Sequence, residues 1–512
     1  MVSLNLRVFL FEAIPLLAPL FWPTLEHTSP DISVSIPLSP PSNAPTLSRS
    51  LLSFSIEQDR WVDWIGPGSR NEFFFNVLSN LKDLSGEATR LRIGADSEDV
   101  TNFNSAVKLS DAIFPPATAT DPYPEALNVI VGNGYYQLAS LLPSGEPPAL
   151  LSTFFSFSSS AVQNAGVMLQ AIEIGNEPDR YKRPEWTVED YVKKWTLFAT
   201  NVSATIAAVS KSNVPLLGAA FSQSTHNTTG FSPQSIFELG ILNTEPGSQI
   251  SSISQHHYIC ACPQGVLQDV MSKPAIRGNL SQYSPDIAAV HAKGLTYILG
   301  ETNSYPYAGA PHVSDTAGAA LWALDYTLFA SQLGIERIYF HEGIGFKHNF
   351  IQPMTLRRSI YDGSALPQPL APHIQPQYYA AIIIAEAIGP SNATQAIELD
   401  ISNSQVSGYA FFDNGHLKRA VLMNLNVFVG NTARGSVHVV PSIVGYGWMA
   451  PTTMTIKRLT IPFANSTSGV TWGGQTYETF DGKVQRDLVV QTVPISHGVD
   501  IHDTEAIMLI FS

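Results

Sequence analysis

The stretch Ala171-Ile172-Glu173-Ile174-Gly175-Asn176-Glu177-Pro178 decides how the rest of the chain is interpreted. Its apolar residues predict a short buried strand, and Gly-Asn-Glu-Pro predicts a tight turn with a carboxylate at its tip. Barrels of eight parallel strands carry their chemistry where the strands end. A second stretch, Thr296-Tyr297-Ile298-Leu299-Gly300-Glu301, has the same design. Cleavage of a glycosidic bond requires two such carboxylates, one as acid/base and one as nucleophile.

Short apolar runs recur between residues 50 and 340 and alternate with helical patterns. The predicted strands are Leu51–Ile56, Thr89–Ile93, Leu127–Val131, Ala171–Ile174, Pro215–Ala220, Ile253–Tyr258, Thr296–Leu299 and Ile335–Phe340. Helical patterns lie between most of them, at Asn71–Leu84, Val188–Ser210, Ser284–His291 and Asp315–Gln332. This repetition predicts an α/β fold, a (β/α)8 TIM barrel with Glu177 and Glu301 at the ends of strands 4 and 7.

Helical periodicity disappears after residue 390. Short alternating runs with turn signals replace it, and Asp413-Asn414-Gly415 between two of them is a hairpin signal. The sequence therefore predicts a C-terminal antiparallel β-sandwich domain, with a further strand at Ile32–Ile36. The predicted division is a tail or broken signal peptide at 1–28, a segment giving a strand to the β-domain at 29–49, the barrel at 50–390 and the sandwich at 391–512.

Composition excludes some partners. The chain has 42 acidic and 28 basic residues and a net charge of −14, which argues against nucleic acid or an anionic membrane as partner. Five glycosylation sequons favour a secreted, extracellular protein with N-glycans, at Asn201, Asn227, Asn279, Asn392 and Asn465. The two cysteines, Cys260 and Cys262, can form at most one strained local disulfide and otherwise are thiols.

Polar residues follow the other predicted strands and are candidates for a sugar pocket. Glu57 follows strand 1, Asp96 follows strand 2, His256-His257-Tyr258 ends strand 6 and His341-Glu342 ends strand 8. Arg92 on strand 2 is equally a ligand contact or an ion-pair partner beneath the nucleophile. Asn176 is expected to hydrogen-bond the sugar hydroxyl beside the reacting carbon. The histidines and cysteines match no zinc spacing, so neither a metal nor a cofactor is predicted.

These residues resemble glycoside hydrolase family 79, which includes fungal β-glucuronidases and heparanase. The resemblance extends over the barrel and the β-domain. Its motifs are Ser53-Phe-Ser-Ile-Glu57, Leu91-Arg-Ile-Gly94, Glu173-Ile-Gly-Asn-Glu-Pro178, Gln255-His-His-Tyr258, Gly300-Glu-Thr-Asn-Ser304 and Val313–Asp325. Asn-Glu-Pro is shared across a larger clan of retaining glycosidases, whereas the last two motifs are more specific to the family.

The resemblance implies a role for each matching residue. Glu177 would be the acid/base and Glu301 the nucleophile, with Tyr258 hydrogen-bonded to the nucleophile and Glu57 on sugar hydroxyls. The loop after the nucleophile, with Tyr305, Tyr307 and Gly309, would approach the substrate carboxylate. Members of the family often have Gln and Tyr where this chain has Glu342 and His348. An acid at 342 would repel a uronate unless it turns away, and His348 could bind one as a cation at acidic pH.

The implied function is that of a secreted exo-acting retaining β-glucuronidase, monomeric or weakly oligomeric, that removes terminal glucuronic acid or its 4-O-methyl form. Two alternatives stay open. One is another retaining β-glycosidase or an endo-acting, heparanase-like hydrolase. The other is an inactive carbohydrate-binding protein on the same fold.

Overall fold

The computed structural model describes residues 31–142, 150–152, 169–181, 185–209, 214–259, 265–445 and 450–512. The N-terminal apolar run and the two cysteines, Cys260 and Cys262, lie outside these described residues, and so do the predictions made for them.

Eight parallel strands form the central sheet. In chain order, barrel strands 1 to 8 are Leu52–Glu57, Leu91–Gly94, Leu150–Ser152, Ile172–Glu173, Leu216–Phe221, Ile250–Tyr258, Thr296–Asn303 and Ile335–Glu342. Their order in the sheet is 3-2-1-8-7-6-5-4. The two end strands, 3 and 4, come within 8 Å of each other at their Cα atoms. The sheet therefore curls into the predicted (β/α)8 barrel, with all strand ends at one mouth.

The prediction for barrel strand 3 is wrong. Residues Asn128–Val131 belong instead to a small sheet with Thr101–Phe103 and Ser110–Ile113. The place beside strand 2 is taken by Leu150–Ser152, which pairs with Leu91–Ile93. Only every second residue of Asn128–Val131 is buried, so this run belongs to a surface layer, although its composition fits a barrel strand equally well.

Helices surround the barrel. The α-helices are Trp61–Ile65, Glu72–Ser85, Asn133–Gln137, Val188–Val209, Pro233–Glu238, Leu267–Val270, Lys273–Ser281, Ser284–His291, Ala317–Gln332 and Tyr378–Ile388. Short 3-10 helices lie at Gln58–Arg60, Asp96–Val100, Leu138–Leu141, Pro178–Arg180, Ile241–Asn243, Pro246–Gln249 and Ile495–His497. Helix Glu72–Ser85 shows why the boundaries fall where they do. Asn71 caps its first turn through Phe74 N–H, and Gly86 ends it in a left-handed conformation.

The C-terminal domain consists of two packed sheets. The larger, antiparallel sheet contains Gln395–Glu398, Val406–Asp413, His416–Asn424, Thr453–Thr460, Thr471–Trp472, Gln491–Pro494 and Glu505–Phe511. The smaller sheet joins Ile32–Pro37, Ser436–Val444 and Val499–His502. The predicted hairpin is present, and positive φ at Asn414 (+50°) and Gly415 (+79°) fits a type I′ turn. Val34 and Ile36 of the N-terminal strand are buried in the shared core.

Two short antiparallel pairs lie between the barrel and the C-terminal domain in the chain. Ile351–Gln352 pairs with His373–Ile374, and Leu356–Arg358 pairs with Ala365–Leu370. Helix Tyr378–Ile388 follows them and is buried over nearly its whole length, so it joins the two domains through one continuous core. In the described part of the chain, every helix is too short or too polar to cross a membrane.

Candidate active site

Glu177 and Glu301 line the same cavity at the barrel mouth, which has a volume of about 1030 Å³. Both side chains are buried, and carboxylate oxygens of the two lie within 4.8 Å of each other. Strand 4 ends just before Glu177, and Glu301 lies within strand 7, so the barrel closure brings together residues far apart in the chain. Two carboxylates at this separation can act on opposite sides of one small group.

The backbone around each carboxylate is specialised. Glu177 adopts a left-handed conformation (φ +43°, ψ +50°), which is unfavourable for a residue with a side chain. Its N–H donates to the Ala220 carbonyl at 3.0 Å, which fixes the turn against strand 5. Next to the other carboxylate, a Cβ on Gly300 would lie 2.1 Å from Ser254 Oγ. Strands 6 and 7 can therefore approach this closely only with glycine at that position.

Glu301 is held as an anion by hydrogen-bond donors from strands 2 and 6. Tyr258 donates its hydroxyl to Oε1 at 2.8 Å, as the resemblance implies, and Arg92 donates to Oε2 at 2.9 Å. Burial raises the pKa of Glu301, but His341, His256 and Arg92 outweigh that effect, and the net pKa is well below its ordinary value. An ionised carboxylate beside a cavity is suited to nucleophilic attack.

The pKa of Glu177 is not raised, although burial and a neighbouring carboxylate both act to raise it. Burial raises its pKa, but hydrogen bonds from His256 to Oε1 (3.1 Å) and from Arg180 to Oε2 (2.7 Å) lower it more. The net pKa of Glu177 lies below its ordinary value, although Glu301 opposes this. The two donors therefore outweigh burial and the neighbouring carboxylate, which alone would favour the protonated form.

His256 lies between the two glutamates, and its Nδ1 is 3.1 Å from Glu177 Oε1 and 3.9 Å from Glu301 Oε2. Burial lowers the His256 pKa, but the two carboxylates raise it above its ordinary value. This trio has the atoms to hold a metal ion, but Arg92 and Arg180 already bond its carboxylates at 2.9 Å and 2.7 Å. Positive charge at the site is thus supplied by side chains.

Carboxylates from strands 1 and 2 line the other side of the cavity. Glu57 accepts hydrogen bonds from Ser97 and lies 3.3 Å from His341 Nε2. Burial, with neighbouring carboxylates, raises the pKa of Glu57 well above its ordinary value, and the pKa values of Asp96 and Glu125 are raised for the same reasons. Protonated carboxyls can donate as well as accept hydrogen bonds, which suits sugar hydroxyls.

Three predicted contact residues lie behind the cavity wall. The Asn176 amide accepts from Arg92 at 2.9 Å and donates to Asp96 at 2.9 Å, so it supports these two side chains, and its contact with a sugar hydroxyl stays a prediction. The Tyr305 ring packs against Gly265, outside the cavity. Gly309 packs against Ser314 and against His348 of the loop after strand 8, and its positive φ of +86° permits this close approach. Arg92 is fully buried and is the ion-pair partner of Glu173 and Glu301, which is one of the two roles the sequence left open.

The remaining candidates divide into two groups. Tyr307 lines the cavity and is 74% exposed, so it stands at the rim. His257 and His348 also line it, but burial lowers their pKa values to about 4 and about 3. The prediction of a cationic His348 at acidic pH is therefore wrong for the free site. Its Nδ1–H donates to the Tyr305 carbonyl at 2.9 Å.

Glu342 turns away from the cavity, so it would not repel a uronate bound there. Its carboxyl accepts from the N–H groups of Phe350 and Ile351 at 2.9–3.2 Å and is fully buried beneath the following loop. It therefore anchors that loop and does not meet a ligand.

Sequence reasoning missed several lining residues. Arg180 follows Glu177 by three positions, and Tyr123 and Glu125 come from the loop between Ser110–Ile113 and Asn128–Val131 of the small sheet. Phe346 comes from the loop after strand 8. No motif or periodicity marks these loop positions. For Arg180 the one available signal is its spacing from Glu177, which places it within one turn of the carboxylate.

Comparisons with known proteins give concordant results. Residues 408–508 match the family model described as the glycosyl hydrolase family 79 C-terminal beta domain. A "Beta-glucuronidase" of Aspergillus niger is 25% identical over 526 residues, covering 93% of this chain and 91% of that protein. Another from Neurospora crassa is 25% identical over 514 residues, covering 87% of each. The solved structure of a 4-O-α-L-rhamnosyl-β-D-glucuronidase from Fusarium oxysporum has a TM-score of 0.75 at 23% identity, covering 93% of this chain and 100% of that one.

Proposed function

We propose that this chain, a member of glycoside hydrolase family 79, is a retaining exo-β-glucuronidase that removes terminal β-linked glucuronic acid, or its 4-O-methyl form, from glycans. The observation that carries the proposal is the approach of the Glu177 and Glu301 oxygens to within 4.8 Å across the cavity. Retaining glycosidases hold their two carboxyls about 5–5.5 Å apart, and inverting ones hold them about 6.5–9.5 Å apart.

In the first step Glu301 attacks the anomeric carbon while Glu177 protonates the departing oxygen, and a glycosyl ester forms on Glu301. In the second step Glu177, now a base, activates water, which releases the sugar with its anomeric configuration retained. Tyr258 and Arg92 hold the Glu301 carboxylate in place for the attack. Two carboxylates and water complete the cycle.

Three observations support a uronic acid as the sugar. The relatives covering most of the chain are named β-glucuronidases. Glu342, the acid that would have repelled a uronate, points into the protein. The loop that the resemblance places near the substrate carboxylate, Pro306–Ala308, lines the cavity, and Tyr307 and Ala308 have positive φ.

The direct test is turnover of phenyl β-glucuronide by Glu177→Ala and Glu301→Ala. Phenol is a poor leaving group and needs a proton, so each variant should lose roughly 100- to 10,000-fold in kcat. With an activated substrate such as 2,4-dinitrophenyl β-glucuronide, whose leaving group departs without a proton, azide should accelerate the Glu177→Ala variant and give a β-glucuronyl azide, because azide attacks the glycosyl ester without needing a base. Near-normal rates in either variant would sink the proposal.

Substrate choice is tested separately with matched phenyl glycosides and with internal glucuronide linkages of heparan oligosaccharides. Preference for the phenyl glucuronide supports exo-β-glucuronidase action. Faster turnover of another glycoside, or cleavage only within the oligosaccharides, would assign the chain to another hydrolase of the same mechanism. Binding without any turnover would indicate a carbohydrate-binding protein.

We also propose that the protein is secreted and carries N-glycans. Of the five sequon asparagines, Asn201, Asn227, Asn392 and Asn465 are exposed and Asn279 is half-buried. Exposed sites are accessible to glycosylation during secretion. Enzymatic removal of N-glycans should lower the mass of protein secreted by a eukaryotic host, and an unchanged mass would contradict this.

A further inference from the structure

The cavity is strongly acidic for an enzyme that binds an anion. Seven carboxyl side chains line it: Glu57, Asp96, Asp121, Glu125, Glu177, Asp179 and Glu301. Among the lining residues that the structure describes, Arg180 is the one arginine or lysine. His257 and His348 are neutral at ordinary pH, because burial lowers their pKa values to about 4 and about 3. A substrate carboxylate entering this cavity has one permanent cation to meet.

Arg180 is placed to serve a ligand. It ends the short 3-10 helix Pro178–Arg180 and its side chain is 56% exposed, so it can move without disturbing the core. Its Nη1 donates to Glu177 Oε2 at 2.7 Å, and it also interacts electrostatically with Asp96 and Tyr307 across the mouth. A guanidinium has five N–H donors in a planar fork that matches a carboxylate.

In the free site this contact works against catalysis. Arg180 and His256 together bond both oxygens of Glu177 and favour its ionised form. An ionised carboxylate has no proton to give to a leaving group. Glu177 can act as an acid only after one of these donors leaves, and Arg180 is the exposed one, whereas His256 is fully buried.

We propose that Arg180 binds the carboxylate of the substrate, and that this exchange of partners frees Glu177 to become the acid. The proposal rests on the proposed function and names the residue that links substrate charge to the acid. An uncharged sugar would leave Arg180 on Glu177 and would be turned over slowly. Selectivity for a uronide would then arise partly in the proton-transfer step.

The proton balance is simple. When Arg180 leaves, Glu177 takes one proton from solvent. It then gives this proton to the glycosidic oxygen as the bond from the anomeric carbon to that oxygen breaks and the bond to Glu301 forms. The aglycone departs as a neutral alcohol. The ionisable groups that face Glu177 are His256, Tyr258 and Glu301 on strands 6 and 7, Asp96 and Asp99 after strand 2, and Asp179 and Arg180 on its own turn.

The experiment compares the unmodified chain with Arg180→Gln on phenyl β-glucuronide and phenyl β-glucoside, which share a leaving group. Losing a hydrogen-bonded charge pair should raise KM for the glucuronide about 10- to 100-fold. The glucoside should change less than about threefold, or improve. The control is Arg70→Gln, an exposed arginine paired with Glu72 outside the cavity, which should leave both substrates unchanged. Equal effects on both substrates, or none, would overturn the proposal.

The pH profiles provide a readout that a structural role would not change. With the glucuronide, the basic limb of kcat should lie at higher pH than that of kcat/KM, because only the bound state frees Glu177. With the glucoside the two limbs should coincide. In Arg180→Gln the basic limb of kcat/KM should move to higher pH for both substrates, since the free Glu177 no longer has its cation. An unmoved limb would contradict the proposal.

Two further experiments show which part of the substrate carries the bound carboxylate, and whether a negative result concerns Arg180 or the proposed function. A carboxyphenyl β-glucoside carries the anion on the leaving group, and sensitivity of this substrate alone to Arg180→Gln would place the contact on that side. Calorimetry of glucuronate binding in two buffers should show proton uptake in the unmodified chain and none in Arg180→Gln. Glucuronide preference with no effect of Arg180→Gln sinks this proposal alone. No glucuronide preference sinks the proposed function, and the calorimetry still tests Arg180.

Discussion

The two active-site glutamates differ in how exposed their stabilising donors are. Arg92, which holds Glu301, is fully buried and also bonds Glu173 at 2.7 Å, so it is a permanent part of the barrel floor. Arg180, which holds Glu177, is largely exposed, and in the proposed mechanism it leaves Glu177 when substrate binds. The difference fits the proposed roles, in which Glu301 stays ionised as the nucleophile and Glu177 changes its protonation state during the reaction.

This difference predicts the effect of Arg92→Met. Removing the cation leaves the buried carboxylates of Glu173 and Glu301 without their ion-pair partner, which should lower the unfolding free energy by about 3–5 kcal/mol. The pKa of Glu301 should rise, so the acid limb of kcat/KM should move to higher pH. Urea unfolding and pH–rate profiles measure the two effects.

The matched control is Arg337→Met. Arg337 lies near the N-terminal end of strand 8 of the same barrel and bonds Ser48 and Ser50. It should destabilise the chain without moving the acid limb. If Arg92→Met leaves the acid limb in place, its assigned role beneath the nucleophile is incorrect.

The sequence predicted the carboxylates but only two of their partners, Tyr258 and Arg92. Glu177 and Glu301 follow apolar runs in a recurring pattern, so local signals were sufficient to find them. Arg180, Glu125 and Phe346 reach the cavity from loops, and their positions depend on tertiary packing that no local pattern encodes. Asn176 was assigned a ligand role because its position is visible in sequence, whereas its bonds to Arg92 and Asp96 are not.

Among the elements, the loop after strand 8 shows how a buried acid can shape a site without touching the ligand. Glu342 is the last residue of that strand and accepts the N–H groups of Phe350 and Ile351. Burial raises the pKa of Glu342 well above its ordinary value, and those hydrogen bonds only partly offset the effect. The loop that places Phe346 and His348 at the cavity is thus tied to a carboxyl that prefers to be protonated.

This arrangement predicts a pH effect on stability. A carboxyl with a raised folded-state pKa stabilises the fold below its unfolded pKa of about 4.3, and this contribution is lost as pH rises toward the folded value. Glu342→Gln keeps the shape and removes the titration. The difference in unfolding free energy, variant minus unmodified chain, should therefore increase from pH 4 to pH 7.

Chemical unfolding at several pH values measures that difference. Glu336→Gln, an exposed glutamate of the same strand, is the control and should show no such trend. A flat difference for Glu342→Gln would mean that the carboxyl titrates normally in the fold.

Element prediction succeeded where a pattern was long or chemically specific. The helix predicted at Val188–Ser210 is observed at Val188–Val209, and Asp-Asn-Gly forms the predicted hairpin. It failed at barrel strand 3, because Leu150–Ser152 is only three residues long and Asn128–Val131 carries a stronger strand signal. Very short strands are fixed by their neighbours, here strand 2, and not by their own sequence.

In the whole molecule, the barrel and the C-terminal domain share a buried ionic junction. Arg277, on a barrel helix, bonds Asp325 on another and Glu398 and Tyr409 on the large antiparallel sheet. Asp325 is fully buried and also accepts from Tyr409 at 2.7 Å and from Ser407 at 3.1 Å. Side chains from both domains therefore complete one hydrogen-bond network.

The junction predicts that the two domains unfold together. Arg277→Met removes the cation from buried Asp325 and should lower the unfolding free energy of the whole chain by about 3–5 kcal/mol, still in one transition. Calorimetry and loss of glycosidase activity should then occur at the same, lower temperature. Arg357→Met, at an exposed position, should leave both unchanged. Activity that survives a separate early transition would show that the barrel does not depend on the junction.

Covalent trapping tests directly whether Glu301 is the nucleophile. A 2-deoxy-2-fluoro-β-glucuronyl fluoride should react once per chain, because the fluorine at C2 slows hydrolysis of the glycosyl ester. The chain should lose activity and gain the mass of one fluoroglucuronyl group, and the label should lie on the peptide that contains Glu301. A label on any other residue, or unlabelled chain that still turns over β-glucuronides, would contradict the assignment of Glu301 as nucleophile.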